Sequence, residues 1–486
     1  MRRSGISALV CGLLAGCMVG PDYQRPKVET PDVYIYEPEK VAETANTEWW
    51  RQFNDPVLDG LIDEALANNK NVKIAAANVE QAAGVLTTTG SPLYPQIGYQ
   101  ADASRQRLSE NSAFASAAAT PGAVQSSRGV PNPFSNLNAL ATASWEIDLW
   151  GRIRRQTEAA RANLLATDAA RRGVILSLVA NMANSYIQLR GLDEQLEISK
   201  RTAGAYLESL KLFELQFKYG QVSQMNVSQA DSQYQTAAAQ IPLIEQEIAV
   251  LENSISVLLG HNPGPIPRGQ SISGLTLPDV PAGLPSQLLE QRPDLQQAEQ
   301  QLIAANAQIG AARALYFPTI SLTGAFGQES EDFSKLFNAS SRVWSFGGSV
   351  IGPIFTGGAI SGQVAQATAA QKAALESYEL SIQSAFADVE SALVARQKLG
   401  EQVAAQEKLV QALREYSRLS RLQYDAGYVP YSTVLQAEQQ LFPSELTLAA
   451  TRAQLFSSLV GIFKATGGGW VNEADKLAPQ PLLGSN

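Results

Sequence analysis

The chain has 486 residues, 37 basic and 46 acidic, for a formal net charge of −9. No basic stretch offsets that charge, which argues against nucleic acid as a partner. Two cysteines and a single histidine leave no metal-ligating cluster and no thiol–imidazole pair, so metal chemistry and cysteine catalysis find no support.

At the N-terminus Arg2 and Arg3 precede a short apolar run, Ile6 to Leu14, and Leu14-Ala15-Gly16 lies directly before Cys17. A membrane-crossing helix needs roughly 20 apolar residues, so residues 1–16 read as a cleaved signal peptide. The order Leu-Ala-Gly-Cys resembles the bacterial lipobox, in which the cysteine is acylated and becomes the mature N-terminus. The alternative is an ordinary signal peptide with an incidental cysteine. Cys11 leaves with the leader, so Cys17 has no partner for an internal disulfide. Residues 17–56 then form a lipidated N-terminal segment. No later run reads as a membrane-spanning helix, so any return to the bilayer is expected as strands.

The chain repeats itself. "NNKNVKIAAANVEQAAG" (68–84) lines up with "QRPDLQQAEQQLIAANA" (291–307), and "FKYGQVSQMNVSQADSQY" (217–234) with "YDAGYVPYSTVLQAEQQL" (424–441). That period suits a duplicated domain-sized unit: a first repeat at 57–260 and a second at 286–467. The Pro/Gly-rich 261–285 joins them as an ordered or semi-rigid connector, and 468–486 forms a tail.

Each repeat begins with a helix of about thirty residues, 57–90 and 286–316, followed by two strand patterns and a very long helical pair. The pairs run 151–219 with 223–259, and 357–424 with 431–465. Both are rich in Ala, Gln, Glu and Leu. Pro242 and Pro443 fall at nearly matching places in the returning helices and should kink them. Sixty-odd helical residues reach about 100 Å, beyond a globular domain. Small residues spread around these helices suit the stave of a tube better than a coiled-coil seam.

The strand patterns are 94–105, 138–150, 317–328 and 343–355. In the second, Ala139, Ala141, Ala143, Trp145, Ile147 and Leu149 share one face, and Thr142, Ser144, Glu146 and Asp148 the other. This length fits a tilted membrane-crossing strand and also a soluble sandwich with one wet face. Trp145, Trp150, Tyr94, Phe317 and Trp344 near strand ends favour the membrane, with Ala143, Trp145 and Ile147 toward lipid. Four strands cannot close a barrel, and lipid tolerates no open edge. Several chains must contribute: two would give eight strands, three would give twelve and a lumen.

"GCMVGPDYQRP" (16–26), "WWRQFNDPVLDGLIDEAL" (49–66), "RPDL" (292–295), "PIFTGG" (353–358), "YDAGYVPYSTVLQAEQQLF" (424–442) and "GGGW" (467–470) occur in this order over nearly the whole chain. Together they resemble the bacterial outer-membrane efflux channels, in particular the lipoprotein branch serving tripartite resistance-nodulation-division pumps. The resemblance implies a mainly α fold with a β-barrel contribution. Long periplasmic helical hairpins would form an α-barrel, and four transmembrane strands per chain would close as a twelve-stranded barrel in a homotrimer. It also implies a periplasmic adaptor, an inner-membrane pump, contact with outer-membrane lipid, and no cofactor or enzymatic activity. Drugs or other small toxic compounds would be the cargo. A type I protein secretion channel and a non-conducting periplasm-spanning lipoprotein are the competing readings.

Candidate sites follow. Cys17 carries the lipid. Gly220 and Gly427 break the long pairs farthest from the strands, where the family closes its tube and docks its adaptor. By the resemblance Tyr424 matches the tip tyrosine. Asn226, Thr433 and Gln436 stand where acidic residues are frequent, and Ser432 where one branch has leucine. Trp150, Arg152, Arg154 and Arg155 stand where strand becomes helix. Basic charge opposes the helix dipole there, so the arginines are expected either at lipid headgroups or simply solvated. His261, in the connector, reads as a surface-loop residue.

Overall fold

The computed structural model describes residues 18–28, 34–36, 48–107, 109, 133–277, 290–467 and 469–482. Cys17 lies outside them. In chain order the elements are α1 (Pro56–Asn68), α2 (Lys70–Gly90), β1 (Gln96–Gln106), β2 (Phe134–Ile147), α3 (Arg152–Lys218) and α4 (Gln224–Leu259). There follow α5 (Pro293–Ala314), β3 (Thr319–Ser330), β4 (Arg342–Ile351), α6 (Ala359–Asp425), α7 (Tyr431–Thr466) and α8 (Trp470–Leu477).

The duplication is written into the helix bounds. α3 and α6 have 67 residues each, and α4 and α7 have 36. Arg152 and Ala359, Lys218 and Asp425, Gln224 and Tyr431, Leu259 and Thr466 are corresponding ends, and every pair is 207 positions apart.

The chain divides into two compact units. One comprises Met1–Arg25, Ala83–Asn163 and Leu302–Ala374. It holds a four-stranded antiparallel sheet in the order β1-β2-β3-β4. Below the sheet, alanines let helices approach closely: Ala159 and Ala162 of α3 pack with Ala304 and Ala307 of α5. The segment after Cys17 lies against the same helices. The Val19 N–H donates to the Trp150 carbonyl at 3.2 Å, and Asn306 Nδ2 donates to the Pro21 carbonyl at 3.0 Å. Gly20, at φ +111°, meets Gly310 backbone to backbone, where a side chain on either would collide.

The other unit comprises Pro26–Ala82, Leu164–Gln301 and Leu375–Asn486. Its core joins the two ends of the chain. Trp49 stacks on Phe463 at 4.8 Å, and Trp50 meets the Trp470 ring edge-on at 5.8 Å. These three tryptophans are fully buried, each worth roughly 3–5 kcal/mol against truncation to alanine. So "WWRQF" and "GGGW", distant in sequence, are two sides of one contact. The described part of the connector is tied down as well. Arg268 pairs with Asp193 at 3.1 Å and with Glu252, and Arg190 donates to the Gln270 carbonyl at 2.7 Å. His261 is exposed, 3.4 Å from Glu64.

Three expectations need correction. The first helix of the first repeat is two helices, broken at Asn69. Its Oδ1 accepts the Asn71 and Val72 N–H groups at 2.8 and 3.2 Å, and its Nδ2 donates to the Leu258 carbonyl at 2.8 Å. An asparagine that caps the next helix competes with continuing the first. Second, the prolines do not correspond: Pro242 lies 18 residues past Gln224 and Pro443 only 12 past Tyr431, both inside unbroken helices. Third, α7 is apolar and long enough to cross a bilayer by composition, but most of that stretch is buried within the chain. Its apolarity serves the core.

Candidate functional site: the two-faced sheet and the helical tips

Residues directly opposite in a sheet point to the same face, so the register sorts the strands' side chains. Ala143 pairs with Ile97 and Gly324, Ala141 with Tyr99 and Phe326, Trp145 with Leu322, and Phe326 with Trp344. At these levels the face is apolar across all four strands, turning polar at the far end with Arg105, Gln328 and Arg342, and much of it is bare: Tyr99 is 92 % exposed and Phe346 81 %. Ser144 pairs with Gln96 and Thr323, Thr142 with Gly98, Asn138 with Asp102 and Glu329, and Ser321 with Ser349. That face is polar. Ala143, Trp145 and Ile147 thus share the apolar face, as read from the sequence. Among the described residues nothing pairs with the outer edges of β1 and β4.

Aromatic groups sit at one end of the sheet. The Trp150 indole stacks on Phe317 at 4.6 Å and donates to the Pro318 carbonyl at 2.8 Å, while Trp145 Nε1 donates to the Leu93 carbonyl at 3.0 Å. β2 stops at Ile147 because Asp148 turns to cap α3. Its two carboxylate oxygens accept the Ile153 and Arg154 N–H groups at 3.1 and 2.9 Å.

The arginines follow from that. Arg152 holds Glu146 with two 2.8 Å contacts, and the Arg154 guanidinium lies 3.4 Å from Asp148. Arg155, expected at headgroups or in solvent, is buried. Its guanidinium pairs with Asp22 at 2.7 Å and Glu158 at 2.8 Å. Acidic partners therefore offset the unfavourable charge at this helix start, and Arg155 fastens the N-terminal segment.

The tips of the two hairpins are built alike. Gly220 has φ +69° and Gly427 φ +77°. At the first, the Gly220 N–H reaches the Phe217 carbonyl and Gln221 reaches Gln216, both at 2.9 Å. At the second, Gly427 reaches Tyr424 and Tyr428 reaches Gln423, at 2.9 and 2.8 Å. These paired bonds are the glycine-ended helix stop, in which a left-handed residue satisfies the last carbonyls.

Behind the turns lies a small aromatic core. Tyr431 packs edge-on to Phe213 at 4.4 Å and to Tyr424 at 5.5 Å, so the half-buried Tyr424 belongs to this core. Burial pushes the Tyr431 hydroxyl up to about 12 and raises that of Tyr424 as well. Asn226 accepts from Ser223 Oγ at 2.9 Å. Thr433 is half-buried, whereas Ser432 and Gln436, one helical turn apart, are exposed. The structure thus gathers Tyr424 with Tyr431 and leaves Ser432 and Gln436 on the surface.

Sequence reasoning did not single out the ion pairs beneath the tips. Arg421 Nη1 sits 3.2 Å from Glu438, and its Nη2 donates to Ser209 Oγ at 3.2 Å. Glu445 takes Arg414 at 2.6 Å and Arg201 at 3.5 Å. On long helices dense in charge, nothing in the pattern marks which carboxylates are buried.

The sequence pattern of the outer membrane efflux protein family matches residues 61–261 and 284–468. The chain belongs to this family. Among curated efflux channels, the solvent efflux pump outer membrane protein SrpC of Pseudomonas putida is 36% identical, covering 97% of this chain and 99% of its own. The cation efflux system protein CusC of Escherichia coli O6:H1 is 35% identical over 94% of this chain and 96% of its own. Among solved structures, the open state of the MtrE outer membrane channel of Neisseria gonorrhoeae matches with a TM-score of 0.83 at 30% identity, covering 93% of this chain and 99% of that one. This efflux channel chain therefore shares the family's fold, and its relatives are channels rather than enzymes.

Proposed function

We propose that this chain is the exit duct of a tripartite efflux pump: a homotrimer, anchored by lipid on Cys17, that passively conducts small toxic compounds to the cell exterior. The carrying observation is the sheet, apolar on one face, polar on the other and, among the described residues, unpaired at both edges. Lipid forbids free edges, so β1 of one copy pairs with β4 of another, and three copies make twelve strands around a polar lumen. The family relatives are outer-membrane components of solvent and cation efflux systems, which supports small-compound cargo. An adaptor contacts the tip turns at Gly220 and Gly427. Selection of cargo rests with the pump, because a wide water-lined lumen offers few specific contacts.

The neutral residues Asn226, Thr433 and Gln436 do not form an acidic ring, so closure rests on packing around Tyr424 and Tyr431. Two experiments test the reading. Cells lacking their own channel should regain resistance to a pump substrate when this chain is expressed with its pump and adaptor; export of a polypeptide instead would assign it to secretion. Palmitate labelling should mark the wild type and vanish in Cys17→Ala; label retained in the variant would refute the anchor.

A further inference from the structure

The charged side chains of the sheet are not shared evenly between its faces. Asp102, Glu146 and Glu329 all stand on the polar face, where Asn138 lies opposite both Asp102 and Glu329, and Glu146 lies opposite Ser321. The apolar face carries no acid among the described strand residues. It carries two cations: Arg105 of β1, opposite Ser135, and Arg342 of β4, opposite Gln328. Both are exposed, and both lie at the end of the sheet away from the helices.

The helix end of the sheet treats its arginines differently. Arg152 is held by Glu146, Arg154 by Asp148 and Arg155 by Asp22. Even Lys335, in the loop between β3 and β4, is held by Asp332 at 2.5 Å. Among the described residues Arg105 and Arg342 form no ion pair.

Position gives that asymmetry its meaning. From Ile97 to Arg105 the apolar face of β1 runs about 27 Å along the strand and roughly 20 Å along the membrane normal at the usual tilt. That approaches the apolar band of a membrane barrel, about 25 Å tall, so the arginines stand at its far interface. Next along the same face come exposed aromatic rings, Trp344 and Phe346 stacked at 5.7 Å, with Phe326 opposite Trp344. An occupant has to match both parts: acyl chains against the rings, and an anion against the guanidiniums. A guanidinium presents paired donors that fit two oxygens of one phosphate.

Building on the outer-membrane barrel reading, we propose that Arg105 and Arg342 bind the phosphate of an anionic lipid in the outer leaflet. Both stand on edge strands, so closing the barrel brings them to the same junctions between copies, and one trimer takes up to three such lipids.

The test is native mass spectrometry of the purified full chain in neutral detergent, with conductance recorded on the same samples. The probe is lipid A, a glycolipid with two phosphates, compared with its dephosphorylated form and with inorganic phosphate. Arg105→Gln with Arg342→Gln should weaken lipid A binding about thirtyfold, each arginine near an anionic surface contributing roughly fivefold. Trimer mass and conductance should stay as in the wild type. Each single variant should lose about fivefold, which covers a double variant that fails to assemble. Lys335→Gln, whose charge Asp332 already holds, should change binding little. Dephosphorylated lipid bound as well as lipid A, or double and single arginine variants binding like the wild type, would overturn the site and leave a conducting trimer's channel reading intact. So would a Lys335→Gln loss as large as that of the arginines, which would mean diffuse charge. Inorganic phosphate displacing lipid A at equal concentration would assign the arginines to a free anion and overturn the lipid. A wild type that neither forms trimers nor conducts would overturn both readings.

Discussion

Tyr186 donates a 2.7 Å hydrogen bond to Asp55, 131 positions earlier in the chain. Both are buried, and the same Asp55 carboxylate accepts the Gln270 N–H at 2.9 Å and the Val57 N–H at 2.9 Å. The Gly269 N–H in turn donates to the Tyr186 oxygen at 2.9 Å. One carboxylate thus caps α1, holds α3 and fixes the connector. Burial, reinforced by Asp55, raises the Tyr186 hydroxyl above its ordinary value, keeping it a proton donor.

Removing that hydroxyl strands the Gly269 N–H and takes one of three donors from the Asp55 carboxylate. Tyr186→Phe should cost about 1–3 kcal/mol, because buried donors and acceptors lose their partner without regaining water. Thermal unfolding followed by circular dichroism checks this. Asp55→Ala should cost more, since three groups depend on its carboxylate: the Tyr186 hydroxyl and the Val57 and Gln270 N–H groups. An unchanged midpoint for both would mean the connector is not held here.

The two faces of the sheet predict opposite tolerances one residue apart. Ala143→Arg should impair assembly by about 2–4 kcal/mol near the midplane, whereas Ser144→Arg, on the polar face, should be mild. Oligomer yield on unheated gels measures the difference. Equal yields would favour a soluble sheet.

At the tips, Gly220→Ala and Gly427→Ala should each cost about 1 kcal/mol, since an L-residue resists the left-handed conformation. The cost is conformational alone: nothing lies within 4 Å of an added Cβ at either site. Asparagine at either position should recover most of the loss. Hydrogen exchange at the tips reads the change locally.

Much of this was legible in advance, for definite reasons. Alternation in 138–147 is a two-residue period that survives any tertiary context in which one face is apolar, so the register merely extended it to Ile97, Leu322 and Trp344. The long helices were legible because glycine is scarce inside them and stands at their ends, at Gly220, Gly260, Gly427 and Gly467. What escaped depended on contacts across long separations. Asn69 breaks a helix by capping the next one and reaching Leu258, and its neighbours gave no sign of it. Arg155 reads as a surface cation until Asp22, 133 positions away, is placed beside it. The resemblance singles out Tyr424 at the tip but not its ring partner Tyr431, because that contact joins two different helices.

Glu438 gives the account a pH signature. Burial raises its carboxyl above the ordinary value, Arg421 pulling the other way, and its buried Oε2 has no hydrogen-bond partner among the described residues. Below the ordinary carboxylate value, folded and unfolded chains both carry this proton. Between that value and the raised one, only the folded chain keeps it, so stability falls as pH rises through this window and levels off above it. Glu438→Gln should flatten that decline in chemical-denaturation profiles taken from pH 4 to 8. A decline as steep as the wild type's would assign it to another group.

The central claim is that copies of this chain complete one another's sheet edges around a conducting lumen. Purified protein added to a planar bilayer tests it directly. Discrete, uniform conductance steps from a species whose native mass is three chains are the predicted result. A trimer that inserts stably and passes no ions, under applied voltages of either sign, would contradict it.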